Sequence, residues 1–172
     1  SIEKCAVEFA PITIFFGPTS AGKSTLFYAL LVLRNFIINP NQALDGLFNL
    51  GFQNLGGFEA CIFNHNLSKT LAVTAHFEGR RSYGVHFRKT DAEIIQNSEL
   101  LEMTATVPVP YGANQSFAFT HTEGEEEFTI NWNGFASTVS AKSGTAEAQS
   151  KAVKIAEALN SQVEAIKRVD VC

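Results

Sequence analysis

The sequence predicts an α/β fold with an antiparallel β portion, and three observations support this prediction. The first 38 residues contain an apolar run, a glycine-rich turn and a helix-spaced stretch, in that order. Several runs of alternating apolar and polar residues follow, which is the pattern of half-buried strands. A long amphipathic stretch comes last. This order differs from the strict strand and helix alternation of a doubly wound domain.

Two strands are predicted before the glycine-rich turn. Lys4–Ala10 alternates apolar and polar side chains, and Pro11–Phe16, PITIFF, is a continuous apolar run. Such a run indicates a strand that is buried on both faces. The next stretch, GKSTLFYALLVLRNFI, has helical spacing. Its apolar stripe contains Leu26, Ala29, Leu30, Leu33 and Ile37.

The middle of the chain predicts a loop followed by antiparallel strands. Residues 39–58 are rich in Asn and Gly, and they predict a loop with one short helical turn. The runs TLAVTAHFE and SYGVHFRK, separated by Gly79, Arg80 and Arg81, predict a hairpin. Further strands are predicted at Leu101–Val107, Ser116–His121 and Glu127–Trp132, with PVPYGAN as a break between the first two.

The last stretch, Thr145–Val169, predicts an amphipathic helix of about six to seven turns. Its apolar face contains Ala148, Ala152, Ile155, Leu159, Val163 and Ile166. The near-heptad spacing fits the root of a coiled coil, and the frequent alanines fit packing against a sheet equally well. The predicted organisation is one domain, or the N-terminal half of one. In this prediction, residues 1–38 contain the first strands, the glycine loop and the first helix. Residues 39–140 contain a loop and the antiparallel strands, and residues 145–170 form the amphipathic helix.

The composition predicts a cytoplasmic protein with no membrane span. The net charge is −4, so no basic surface indicates nucleic acid, and DNA remains a possible but unsupported partner. The three cysteines lack metal-ligand spacing and predict reduced thiols. No signal peptide is recognisable, and the longest apolar run, Leu26–Leu33, is too short for a bilayer. Because the chain begins with Ser1 and its helical pattern stops just before Cys172, we expect a piece of a longer product.

The glycine-rich turn carries the clearest chemical signal. Gly17–Ser24, GPTSAGKS, matches G-x-x-x-x-G-K-[ST], the P-loop or Walker A motif, at every fixed position. Gly17 and Gly22 permit backbone angles that a β-carbon would obstruct, so the N–H groups of Thr19–Ser24 can turn inward around phosphate oxygens. The helix N-terminus adds a partial positive charge. The alternative interpretation is a glycine-rich turn that precedes a helix by chance.

Each polar side chain of the motif has a predicted role with ATP and Mg²⁺ as cofactors. Lys23 is expected to reach the β- and γ-phosphates and is the predicted catalytic residue. The Ser24 hydroxyl is the predicted magnesium ligand, and Thr25 is expected to contact the α-phosphate or cap the helix. The predicted cofactor-binding residues are Gly17, Pro18, Thr19, Ser20, Ala21, Gly22, Lys23, Ser24 and Thr25.

Hydrolysis would need more than this loop. Phosphoryl transfer also requires an acidic residue at the end of a second buried strand and a group that orients the attacking water. The segments KRVDVC, LAVTAHFE and TDAEII are the candidates for the acidic strand end. KRVDVC is too short and too basic, and LAVTAHFE alternates like an exposed hairpin. In TDAEII the acidic residues precede the apolar residues, whereas the motif needs them at the end of an apolar run.

The stretch FFGPTSAGKSTLFYAL resembles the opening of ABC-type ATPase heads in the branch of the chromosome-maintenance (SMC), RecF and OLD families and of many prokaryotic AAA-labelled ATPases. These open with F-x-G-P-N-x-[SA]-G-K-S-[TS]-L-x-x-A-L, and this chain has Thr19 where Asn is usual. The resemblance, which also includes the predicted hairpin, covers residues 1–90. It implies a P-loop NTPase fold and the first half of an ABC-type head.

The resemblance also implies how hydrolysis is completed. In the family, the Walker B acid with its catalytic glutamate, the signature serine loop and a switch histidine follow in the C-terminal half, and heads dimerise head to tail through the nucleotide. No such motif is recognisable in this sequence, since STVSAKSG lacks the L-S-G-G order of the signature loop. Gln149 and Gln162 are the two candidates for the Q-loop glutamine, and neither is preferred. We therefore expect ATP hydrolysis only in a homodimer completed by motifs outside this chain.

Two other classes of function stay open. A complete small P-loop kinase or GTPase would need an acidic strand end with an arginine-rich lid, or an N-K-x-D motif, and none is apparent. A non-catalytic nucleotide-sensing scaffold is the second alternative.

Three other groups of residues invite interpretation. His76 and His86 could face each other across the hairpin, although solvated histidines explain them better than a metal site. Four cations form a predicted basic cluster at one hairpin end, which is more typical of a solvated edge. They are Arg80, Arg81, Arg88 and Lys89. Glu123–Phe128, EGEEEF, predicts an acidic hairpin turn.

Overall fold

A computed structural model describes residues 3–10, 13–18 and 22–169, and these form an α/β structure with two antiparallel sheets. The first sheet has the order β1-β2-β3-β4, with β1 Leu71–His76, β2 Ser82–Phe87, β3 Asp91–Asn97 and β4 Glu102–Pro108. The second has the order β5-β6-β7, with β5 Phe117–Glu123, β6 Glu126–Trp132 and β7 Ser137–Ala141. The α-helices are α1 Lys23–Ile38, α2 Leu44–Leu47, α3 Gly57–Cys61 and α4 Ala146–Lys167, and a 3₁₀ turn spans Phe63–His65.

The predicted antiparallel portion is confirmed. Strands β1 and β2 form the expected hairpin, with Leu71 opposite Phe87. The three further predicted strands correspond to β4, β5 and β6, and the acidic stretch forms the β5–β6 turn. Strands β3 and β7 were not predicted. Strand β3 places Gln96 on its buried face, and β7 is made of small and polar residues, so neither shows a clear apolar alternation.

The two strands predicted before the glycine loop are not formed in the described residues 3–10 and 13–18, so this prediction is wrong. The expectation of burial on both faces also fails, because Ile14 is 69% and Phe16 87% exposed. A strand needs a hydrogen-bonded neighbour, and both sheets are built only from residues 71–141. Pro11 and Ile12 lie outside the described residues.

Helix α1 is buried mainly through its C-terminal half. Its buried residues are Leu31, Val32, Leu33, Phe36 and Ile37. The predicted stripe is therefore right at Leu33 and Ile37, whereas Leu26, Ala29 and Leu30 are only half-buried. Phe36 is fully buried, and its ring lies 5.3 Å from the ring of Phe87 on β2. The N-terminal half of α1 thus extends beyond the core.

Helix α4 packs on β7 and α1, in agreement with the sheet-packing interpretation. All six residues of its predicted apolar face are buried. The Thr145 side chain accepts a hydrogen bond from the N–H of Ala148 and caps the helix. Gln162 and Gln96 join α4 to β3: Gln96 Nε2 donates to Leu159 O at 2.8 Å and Gln162 Nε2 donates to Asn97 O at 3.1 Å.

No helix of the described residues combines the length and the apolar character needed to span a membrane. Cys5 and Cys61 are free thiols, and burial raises the pKa of the Cys61 thiol. Cys172 lies outside the described residues.

Two tyrosine hydroxyls contact the turn between β6 and β7. The fully buried Tyr83 on β2 donates to Gly134 O at 2.6 Å. The Tyr111 hydroxyl lies 3.1 Å from Asn133 O and 3.3 Å from Gln115 O. Burial, reinforced by neighbouring Tyr111, raises the pKa of Tyr83 well above its ordinary value. These hydroxyls therefore connect the first sheet and the loop after it to the second sheet.

Substitution Tyr83→Phe should destabilise the protein by about 1–3 kcal/mol at pH 7, because it leaves the buried Gly134 carbonyl without its donor. It should also change the alkaline limb of the stability profile. In the wild type, stability falls as pH rises past about 10, because the unfolded phenol ionises while the buried phenol keeps its proton. Urea unfolding midpoints between pH 7 and pH 11 measure both effects.

Tyr28→Phe on α1 is the matched control, since the structure describes no hydrogen bond to that hydroxyl, and it should change stability by less than about 0.5 kcal/mol. If the Tyr83→Phe profile runs parallel to the wild-type profile above pH 10, the link to the buried phenol is wrong.

Candidate functional site

The glycine loop leads directly into α1, which begins at Lys23. Gly22, the residue before the helix, has a left-handed backbone with φ 83°, and Gly17 has φ 149°. Residues with a β-carbon rarely adopt such angles, so both fixed glycines of the motif stand where only glycine fits without strain. Thr19, Ser20 and Ala21 lie outside the described residues.

The Lys23 side chain folds back over the loop that precedes it. Its Nζ donates to Gly17 O at 2.8 Å and to Pro18 O. An ammonium group has three donors, so two are engaged by loop carbonyls. The lysine therefore closes a ring from the first fixed glycine to the start of α1, and its positive charge lies at the loop.

The first turn of α1 is open to solvent, and Ser24 and Thr25 are exposed. The first helical hydrogen bond of the turn runs from Leu26 N to Gly22 O, at 3.4 Å. The N–H groups of Lys23, Ser24 and Thr25 are therefore donors without an acceptor inside the helix. No acidic residue lies in this first turn. The helix end thus combines free donors, a partial positive charge and a lysine, which suits an anion.

The segment before the loop contacts α1 with one face only. Thr13 and Phe15 are half-buried, and the Phe15 ring lies 4.9 Å from the ring of Phe27 on α1, edge to face. Ile14 and Phe16 point away and are exposed. The alternation is that of an extended segment, although no described strand pairs with residues 13–18.

The described residues assemble no acid beside Lys23 that could hold magnesium. In a P-loop site that acid comes from the end of a strand beside the loop, and none of β1–β7 is hydrogen-bonded to residues 13–18. No group of three or more His, Cys, Asp or Glu able to hold a metal ion occurs among the described residues. Of the two Q-loop candidates, Gln149 is exposed on the first turn of α4, and Gln162 is buried against β3.

The structure does not bring together the histidines or the four cations noted in the sequence, and the preference for solvated histidines over a metal site stays a prediction. His76 is opposite Ser82 and His86 is opposite Ala72, so the two histidines do not face each other. His86 Nδ1 instead lies 3.1 Å from Glu93 Oε2 on β3. The predicted basic cluster at one end of the hairpin is wrong, because the four cations lie at opposite ends of β2. Arg80 and Arg81 precede it, and Arg88 and Lys89 follow it.

A cleft of about 460 Å³ lies at the end of the first sheet, between the β1–β2 and β3–β4 turns. It is lined by residues that include Arg80, Arg81, Asn97, Ser98 and Glu99. None of the described residues of the glycine loop, 17, 18 and 22–25, lines this cleft.

Comparison of the chain with family models, with curated proteins and with solved structures found no match. The P-loop motif and the geometry around Lys23 are therefore the features of the chain that indicate a function.

Proposed function

We propose that residues 17–25 bind ATP with Mg²⁺. We also propose that the chain has a P-loop NTPase fold and forms the first part of an ABC-type ATPase head of the SMC, RecF and OLD branch. The main support is the complete motif, with its second glycine in the left-handed region and its lysine at an exposed helix N-terminus. We further propose that hydrolysis is completed in a head-to-tail homodimer by Walker B and signature residues outside this chain.

In this proposal, the triphosphate lies at the start of α1. The free N–H groups of Lys23, Ser24 and Thr25 and the helix dipole bind phosphate oxygens. The Lys23 ammonium exchanges the carbonyl oxygens of Gly17 and Pro18 for the β- and γ-phosphate oxygens. The ammonium donates charge-assisted hydrogen bonds in both states, but the phosphate oxygens carry negative charge and the carbonyl oxygens do not, so Coulomb attraction favours the bound state. The Ser24 hydroxyl supplies one ligand to magnesium.

The absence of an acidic strand end in the sequence supports the shared-site part of the proposal. Binding and charge neutralisation need only the loop, whereas catalysis also needs a group that orients the attacking water. A nucleotide held by this chain alone would thus lack that group. This is why we assign hydrolysis to the completed dimer and only binding to the isolated chain.

The exposed side chains before the loop also support a partial head. Burying a side chain such as Ile14 or Phe16 is worth about 1.5–3 kcal/mol each. Both are exposed on one side of the extended segment 13–18, while the other side contacts α1. A neighbouring strand of a completed head would cover them and gain this free energy.

Lys23→Ala should weaken Mg-ATP binding by about 1.5–3 kcal/mol, which is about ten- to a hundredfold in Kd, because a charge-assisted contact to phosphate is lost. An NMR titration of the amide signals of residues 22–26 measures this. Lys89→Ala removes the same charge from the exposed β2–β3 turn and should bind as the wild type does. Equal binding by Lys23→Ala and wild type, with both folded, would contradict the proposal.

Ser24→Ala should lower affinity severalfold with Mg²⁺ present and leave it unchanged in EDTA, because only a metal ligand is removed. The measurement is the ratio of Kd with and without magnesium. Ser161→Ala, an exposed serine on α4, is the matched control. A loss of the same size in EDTA would show that the hydroxyl does not act through magnesium.

The isolated chain should release phosphate from ATP at the background rate, and Lys23→Ala should not change this rate. A phosphate-release assay at saturating Mg-ATP provides the test. Robust turnover that Lys23→Ala abolishes would show that this chain contains a complete catalytic site.

A further inference from the structure

An exposed aromatic side chain lies at the tip of the loop formed by residues 47–54 and contacts the second turn of α1. Phe52 is 66% exposed, and its ring centroid lies 6.4 Å from that of Tyr28 on α1, with the rings tilted by 49°. A ring this exposed gains little hydrophobic stabilisation from folding. It therefore contributes little to the core and is accessible to a ligand.

The 47–54 loop is held in one conformation by its own backbone. Leu50 N donates to Gln53 O at 2.9 Å, and Asn49 and Asn54 form an antiparallel bridge. Gly51 at the tip has φ 82°, and its N–H donates to Asn49 Oδ1 at 3.2 Å. The loop thus presents Phe52 on a braced turn, and little ordering is needed when a ligand binds.

The loop also runs along α1 toward the glycine loop. At its start, Asn35 Nδ2 donates to Leu47 O at 2.9 Å, and at its tip Phe52 meets Tyr28. Residue 28 is seven positions closer to the helix N-terminus than residue 35. Tyr28 follows Ser24 by four positions, so both lie on one face of α1. From Lys23 to Tyr28 the helix axis advances only about 7.5 Å.

We propose that Phe52 stacks on the base of the nucleotide whose phosphates bind at residues 17–25, with Tyr28 supporting the ring from the helix. This inference rests on the proposed function. Because Lys23 and Tyr28 both lie in the first two turns of α1, Phe52 lies on the part of the helix where a nucleoside triphosphate with its phosphates at Lys23 would extend its base. Stacking uses the face of the base, which all bases possess, so Phe52 contributes affinity for a nucleotide rather than selection of one base.

The experiment compares Mg-ATP with Mg-tripolyphosphate, which has the same phosphates but no base. NMR titrations of the wild type and of Phe52→Ala give both dissociation constants. Phe52→Ala should bind ATP about tenfold more weakly, the typical loss when an aromatic platform is removed. It should bind tripolyphosphate as the wild type does. Phe52→Trp should keep the wild-type affinity for ATP, because it restores an aromatic face.

Phe9→Ala is the matched control, since it removes an exposed phenylalanine, 47% accessible, that does not contact Tyr28. It should leave both affinities unchanged.

The other outcomes separate the two proposals. If Phe52→Ala binds both ligands like the wild type, or loses both equally, Phe52 does not contact the base and the inference is overturned, while phosphate binding at the loop stands. If the wild type binds neither ligand, the proposed function fails and this inference fails with it. Loss of ATP affinity with unchanged tripolyphosphate affinity supports both.

Discussion

The burial of Phe36 is the contact on which the rest of the structure depends. Its ring is fully enclosed and lies 5.3 Å from Phe87 on β2 and 5.4 Å from Phe135 in the β6–β7 turn. One side chain of α1 thus contacts both sheets at once, and Phe48 joins the same cluster from the end of α2. Aromatic pairs in this geometry add to the free energy gained from burial. The two sheets and α1 are therefore packed around a shared centre.

This arrangement determines how the glycine loop is presented. Because α1 is fixed by its C-terminal half, its first turn extends away from the core with free backbone donors. A helix end held in this way does not have to be ordered when an anion binds, so its electrostatic contribution is available without a reorganisation cost. The site is preorganised on the helix side, while the side facing Ile14 and Phe16 is open.

The sequence predicted the parts of the fold in which local pattern and tertiary contact agree. In α4, the apolar period coincides with the buried face, and in β1, β4, β5 and β6 the alternation coincides with the sheet faces. Strand β2 was also predicted, although it is buried on both faces. Strand β3 escaped prediction because Gln96 is buried through a hydrogen bond to α4, which no pattern within the strand reveals. The apolar run before the glycine loop gave a wrong prediction of a strand, because a strand forms only with a hydrogen-bonded neighbour, which the local sequence does not specify.

The same distinction applies to the candidate site. The motif predicts roles for Gly17, Gly22, Lys23 and Ser24 by residue type and spacing alone, and these roles stay predictions. The positive φ angles of Gly17 and Gly22 agree with the backbone that the motif requires. The relation of Phe52 to α1 could not be predicted, because it depends on Asn35 holding a loop that the sequence shows only as rich in Asn and Gly. The position of His76 relative to His86 could not be read from the sequence for a related reason, since strand register is set by packing along the whole hairpin.

The reciprocal amide bonds of Gln96 and Gln162 have a mechanical consequence. Displacing α4 along its axis by one turn, about 5.4 Å, would separate both buried amides from their acceptors at the same time. Arg34 on α1 adds a third link, because its Nε donates to Lys167 O at the last turn of α4 at 2.9 Å. The two long helices and the centre of the first sheet are therefore linked by hydrogen bonds that a shift of α4 would break together, so we expect these three elements to move as one unit.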